Sequence, residues 1–182
     1  MPLRLNISRH VLFTEGQIEV QDEGSQILAH LVAPKRGMMV ADFCAGAGGK
    51  TLAMGALMRN TGRLYAFDIS EKRLHSLGQR LKRSGLSNLN AQSISSETDP
   101  KLKRLNGKFD RVLVDAPCTG LGTLRRNPDL KWRHTPPVLA DFTVTQATIL
   151  TRSSKRTQVA GRLIYQTCRL SLDVDTTIAE KL

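Results

Sequence analysis

Three cysteines in 182 residues are too few, and wrongly spaced, for several protein classes. Cys44, Cys118 and Cys168 are an odd number with no Cys-x-x-Cys pair. That excludes a disulfide framework or a cysteine-based zinc site, and it suits a reducing cytosol. No apolar run approaches the length of a membrane-spanning helix, and the opening MPLRLNISRHVLF lacks the apolar core of a signal peptide. Internal repeats, low-complexity tracts and an interdomain linker are also missing. The expectation is one soluble, cytoplasmic domain over 1–182, with no bound metal and no membrane partner. Within it, 1–36 would be a lead-in segment and helix, and 37–182 a core that is short at its C-terminal end.

Positive charge, by contrast, is plentiful. The net charge is +11 and the isoelectric point about 10.1. Such a surface suits a polyanion, of which nucleic acid is the commonest, although a small basic protein with a solvated surface carries the same charge.

Short apolar runs alternate with helical stretches. MMVADF (38–43), RLYAFD (63–68), LNAQSI (89–94), FDRVLVD (109–115) and GRLIYQTC (161–168) read as five strands. FDRVLVD is apolar almost throughout, as a parallel strand covered on both faces requires. TLAMGALM follows the first strand as a helix. After the second strand, Ser70 reads as a helix N-cap, Leu74, Leu77 and Leu81 repeat at helical spacing, and Gly85 reads as the C-cap. EGSQILAHLVAPKRG reads as a lead-in helix, and VDTTIAEKL as the start of a last one. The pattern implies an open α/β sheet, mostly parallel, with helices on both faces. In such sheets the ligand crevice lies at the carboxyl ends of the strands, where the glycine loop, Asp68, DAPC and TC all fall.

The loop DFCAGAGGKT (42–51) allows three readings. A phosphate-binding P-loop needs a glycine where Cys44 stands, so that reading fails. A dinucleotide fingerprint is matched by Gly46 and Gly48 but has Thr51 at its third glycine, and Asp68 lies where a ribose-binding acid would. A tight strand-to-helix turn with no ligand also accounts for these glycines. A loop for S-adenosylmethionine, whose ribose would use the same acid, is the third reading.

Other motifs bear on the choice. Cys44-Ala45-Gly46-Ala47-Gly48-Gly49-Lys50-Thr51, FDRVLVDAPCTGLGTLRRNPDLKWR (109–133), YQTC (165–168) and VQDEGSQ (20–26) together resemble the RNA cytosine-5 methyltransferases of the Sun, Fmu, RsmB-like or nucleolar-protein type. The likeness runs from about residue 13 to about residue 170. It implies a Rossmann-like methyltransferase fold dependent on S-adenosylmethionine, here short of the last two strands. The implied activity is methylation of cytosine C5 in RNA, ribosomal rather than transfer RNA, through a covalent cysteine–C6 adduct. It casts Cys168 as nucleophile, Cys118 in product release and Asp115 as the acid at the base edge. It also places the cofactor against Cys44, Ala45, Gly46, Ala47, Gly48, Gly49, Lys50, Asp68 and Asp115. From the residues alone, Cys44 reads first as a structural thiol at a buried strand end.

Arg125, Arg126, Lys131 and Arg133 would position RNA phosphates, with Trp132 either stacking an unpaired base or anchoring the loop. Several positions depart from the family pattern. Gly46-Ala47 replaces the usual Ala-Pro, serines occupy 93, 95 and 96 where an acid toward the adenine is common, and Arg169 replaces a serine. These departures keep a second reading open, a non-catalytic RNA-binding module on the same scaffold. Oligomeric state is not legible.

Overall fold

The computed structural model describes residues 6–125, 127–132 and 136–167. Five strands, β1 (Met39–Phe43), β2 (Arg63–Asp68), β3 (Leu89–Ser93), β4 (Phe109–Asp115) and β5 (Thr157–Gln166), form one parallel sheet in the order β3-β2-β1-β4-β5. The chain steps outward from β1 to β3, then returns to place β4 against the other side of β1. That reversal opens a crevice between β1 and β4 at their carboxyl ends.

Side-chain alternation along the strands assigns the two faces. Ala41, Phe43, Phe67, Val112 and Val114 pack with Leu102, Leu105 and Ile149 on one face. Val40, Leu64 and Leu113 pack with Ala29, Val32, Met54 and Met58 on the other. The first face is covered by a 3-10 segment (Pro100–Leu105) and α5 (Pro136–Ser154). The second is covered by α2 (Glu23–Val32), α3 (Gly49–Leu57) and α4 (Glu71–Ser84), with a short α1 (Val11–Thr14) ahead of them. Both faces are therefore dry, which is why β4 tolerates an apolar run.

The caps read from sequence are present. The Ser70 hydroxyl accepts from the Arg73 amide and Gly85 takes a left-handed φ of 68°. β5 departs from expectation by starting at Thr157, four residues before Gly161. Gly161 reads as a strand boundary but lies inside the strand, where the β4–β5 register shifts between Phe109 and Arg111. A Cβ there would stand 2.9 Å from the Phe109 carbonyl oxygen, so glycine permits the close approach at the irregularity. The expected last helix, VDTTIAEKL, lies outside the described residues. Among the described residues, no helix is long and apolar enough to cross a membrane.

Candidate active site

The β1–α3 loop is shaped by backbone that only some residues tolerate. Gly46 and Gly48 have φ of 58° and 81°, and Cys44 itself takes 63°. Gly48 is the N-cap of α3, and a Cβ on it would come within 2.1 Å of Leu77 Cδ1. Its glycine is thus required twice, by φ and by packing. The loop is tied down by Asp68, whose Oδ2 accepts from the Gly46 amide at 2.8 Å while Oδ1 accepts from the Ser70 amide at 2.8 Å. From α4, the Arg80 guanidinium donates to the Ala47 carbonyl at 2.7 Å and pairs with Glu19.

Above the loop lies an open cleft of about 640 Å³. It brings together Cys44 to Lys50, Asp115, Ala116, Pro117 and Cys118, as the sequence led one to expect. Lys50 Nζ donates to Asp115 Oδ2 at 2.6 Å, joining the loop to the end of β4. The Gly120 amide donates to Cys118 Sγ at 3.4 Å, and Cys118 is half-buried. Asp68 does not line this cleft. It borders an adjoining slot of about 130 Å³ walled by Phe43, Phe67, Ile69, Ile94, Pro117 and Ile149, with Glu97 also at its edge.

Cys44 lines both spaces, and its surroundings disfavour the thiolate. Burial, reinforced by the neighbouring carboxylates of Asp68, Asp42 and Asp115, pushes the thiol up to about 12. This geometry supports the structural reading of that residue. Asp99, in the serine-rich turn after β3, accepts from the Ser95 amide and hydroxyl and from the Lys101 amide. It shapes the turn. Glu97 is the acid that the fold brings to the slot.

The sequence did not single out four contributors. Gln21, from the lead-in segment, and Arg73, from α4, both line the cleft. So does Asp42, 1% exposed at the end of β1, whose Oδ2 accepts from Thr51 Oγ1 at 2.6 Å. Its Oδ1 and Gln21 Nε2 are buried with no hydrogen-bond partner among the described residues. Burial pushes the Asp42 carboxyl up to about 7, against the Thr51 hydroxyl, which pulls it down. Phe142, from α5, closes the far wall. Of these, Asp42 and Gln21 lie inside the motifs DFCAGAGGKT and VQDEGSQ, but the motifs give neither a role.

Cys168, Arg126 and Arg133 lie outside the described residues. Lys131 falls in the 3-10 turn Pro128–Trp132, its side chain outside the described set. Arg125 is exposed and Trp132 is 81% exposed, and neither lines the cleft. Among the described residues, no group of three His, Cys, Asp or Glu side chains could hold a metal.

A family model for the 16S rRNA methyltransferases RsmB/F matches residues 29–182. The chain belongs to the RsmB/F methyltransferase family. Among the relatives of this RsmB/F chain, the probable ribosomal RNA small subunit methyltransferase B of Synechocystis is 38% identical over 159 residues, covering 87% of this chain and 35% of that protein. Its counterpart in Bacillus subtilis is 33% identical, with the same coverage. The chain thus spans about a third of the length of the curated relatives it matches. Two crystal structures from Pyrococcus horikoshii share the fold. NSun6 with SFG superposes with a TM-score of 0.82 at 30% identity, covering 95% of this RsmB/F chain and 45% of that one. A methyltransferase homologue gives 0.83 at 32%, covering 98% and 55%. The five-stranded sheet is therefore a Rossmann-like methyltransferase fold.

Proposed function

We propose that this chain is the catalytic core of an S-adenosylmethionine-dependent methyltransferase acting on C5 of cytosine in ribosomal RNA. The observation that carries the reading is the single cleft in which the glycine loop, the Lys50–Asp115 pair and Cys118 meet. The rRNA assignment draws on the family description and on the relatives' names.

The residues present fit the donor. A cleft of about 640 Å³ is within the usual range for a cofactor-sized ligand. Asp42 Oδ1 is a buried acceptor without a donor, and Gln21 Nε2 a buried donor without an acceptor. An amino-acid end with its ammonium and carboxylate supplies both. The apolar slot beside Ile69 and Pro117 suits a flat purine. The Asp68 oxygens each retain a lone pair for a ribose hydroxyl beyond the amides they already hold. NSun6 of Pyrococcus horikoshii was solved with SFG, an S-adenosylmethionine analogue. When bound, the donor supplies a methyl group already activated on a sulfonium.

The chain's own residues then make cytosine a nucleophile. The Cys168 thiolate adds to C6, forming an S–C6 bond and moving the ring's C5–C6 π electrons to C5. Asp115, held at the cleft wall by Lys50, faces the polar edge of the base and stabilises its protonated ring nitrogen. Once C5 has gained the methyl group it loses its proton to a base. The C5–C6 double bond re-forms and the thiolate leaves. Cys118 assists that elimination. The target base must leave any stack to enter such a cleft, so an unpaired or flipped cytosine is implied.

The test is a radiolabelled methyl-transfer assay on rRNA under reducing conditions. Cys168→Ala should abolish transfer and Cys118→Ala should accumulate a covalent RNA adduct on denaturing gels. Full activity of Cys168→Ala would overturn the assignment, and an essential Cys118 beside a dispensable Cys168 would reverse the two roles. RNA binding without any donor binding in calorimetry would favour a non-catalytic RNA-binding module.

A further inference from the structure

On the side of the sheet away from Cys118, β3 is an edge strand with β2 as its sheet neighbour. Its open edge carries neutral polar side chains, Asn90 and Gln92, which hydrogen-bond to each other at 3.0 Å. Beside it stands the 3-10 segment Pro100–Leu105, anchored by buried Leu102 and Leu105 so that Lys101, Lys103 and Arg104 turn outward. Gln92, Ser93, Lys101 and Arg104 line an open groove of about 470 Å³. On the opposite face of the same edge, α4 adds exposed Lys72, Arg73 and Lys82. Residues 71–108 hold nine Lys and Arg against three Asp and Glu, so this fifth of the chain carries about half of the net +11.

Of these cations, Arg80 and Arg83 are neutralised by Glu19. Lys101, Lys103 and Arg104 form no ion pair with a carboxylate among the described residues. Asp99, two residues before Lys101, is 6% exposed and spent on the turn. Lys101 Nζ reaches only the Ser93 carbonyl, at 3.5 Å. Lysines that merely guard an edge against strand pairing commonly stand on the strand itself. Here the strand is neutral and the charge flanks it, leaving a groove with cationic walls and an amide-lined floor.

We propose that this groove is a docking track for the phosphodiester backbone of RNA outside the catalytic cleft. The inference rests on RNA being the substrate and adds where the strand leaving the cleft is held. From β4, which ends in Asp115, to β3 is three strand spacings of about 4.8 Å, or about 14 Å. At about 3.4 Å per nucleotide of a helical strand, that is about four phosphates from the target cytosine. Lys101 and Arg104 hold phosphates, while Gln92 and Asn90 present amides to sugar or base edges without selecting sequence.

The experiment compares the full chain with the double variant Lys101→Ala/Arg104→Ala, measuring affinity for single-stranded RNA across a salt series. Removing two phosphate contacts from a single strand should flatten the slope of log affinity against log salt by about 1.4. The charge-preserving Lys101→Arg/Arg104→Lys variant should keep the original slope, and S-adenosylmethionine affinity should be the same in all three proteins. An unchanged slope in the alanine variant overturns the docking track while leaving the proposed activity standing. Absence of RNA binding by the unaltered chain overturns both.

Discussion

Asp42 shows how one residue ties the stability of the fold to the site. A carboxyl pushed to about 7 in the folded chain, against about 3.9 when unfolded, binds its proton more tightly in the folded state. Its contribution to stability is therefore fully present below pH 4, declines as the pH rises, and is lost above about pH 7. Asp42→Asn keeps the Thr51 hydrogen bond through its amide oxygen but does not titrate. Urea unfolding at pH 5 and pH 8 should show the unaltered chain losing about 2–3 kcal/mol more than the variant between those values. Equal losses would mean that Asp42 stays ionised throughout. A buried carboxyl in the same cleft as an unpartnered donor, Gln21 Nε2, is best understood as a receptor for a charged ligand end.

Among the elements, the β1–α3 loop makes the sharpest demand on sequence. The family pattern that the sequence resembles has Ala-Pro in place of Gly46-Ala47, and a proline at 47 would force residue 46 into extended backbone. Here Gly46 sits at φ 58° with its amide on Asp68, a conformation that proline rule forbids. Gly46→Ala/Ala47→Pro should therefore lower stability, by about 1–2 kcal/mol for the left-handed alanine and more for the proline conflict, read as a drop in thermal midpoint. A rise would show that the loop readily takes the other form. The elements themselves were legible where periodicity and caps agreed: β2 and β4 ran as read, and Ser70 and Gly85 bounded α4. The start of β5 was not, because a glycine at a register shift looks the same in sequence as a glycine at a strand end. Gln21 lay inside the VQDEGSQ motif without a role, while Arg73 and Phe142 carried no local signal, since only the folded sheet brings them to the β1–β4 crevice.

For the molecule as a whole, the charge and the cleft point in different directions along one sheet edge. The methyl-donor cleft lies over β1 and β4, and the cationic groove flanks β3, so donor binding and backbone binding should be separable. A ligand that binds only the folded chain stabilises it by mass action, about 2.7 kcal/mol at one hundred times its dissociation constant. For a chain of 182 residues each kcal/mol raises the midpoint by about 2–4 °C, so saturating S-adenosylmethionine should raise it by about 5–10 °C. Because the cleft carries its own polar partners, this shift should persist at high salt. Stabilisation by RNA should instead shrink steeply with salt, since it depends on displaced counterions. Thermal unfolding with each ligand at low and high salt reads both. A donor-induced shift that vanished with salt would show that the ligand is held by surface charge and not by Asp42, Gln21 and the glycine loop.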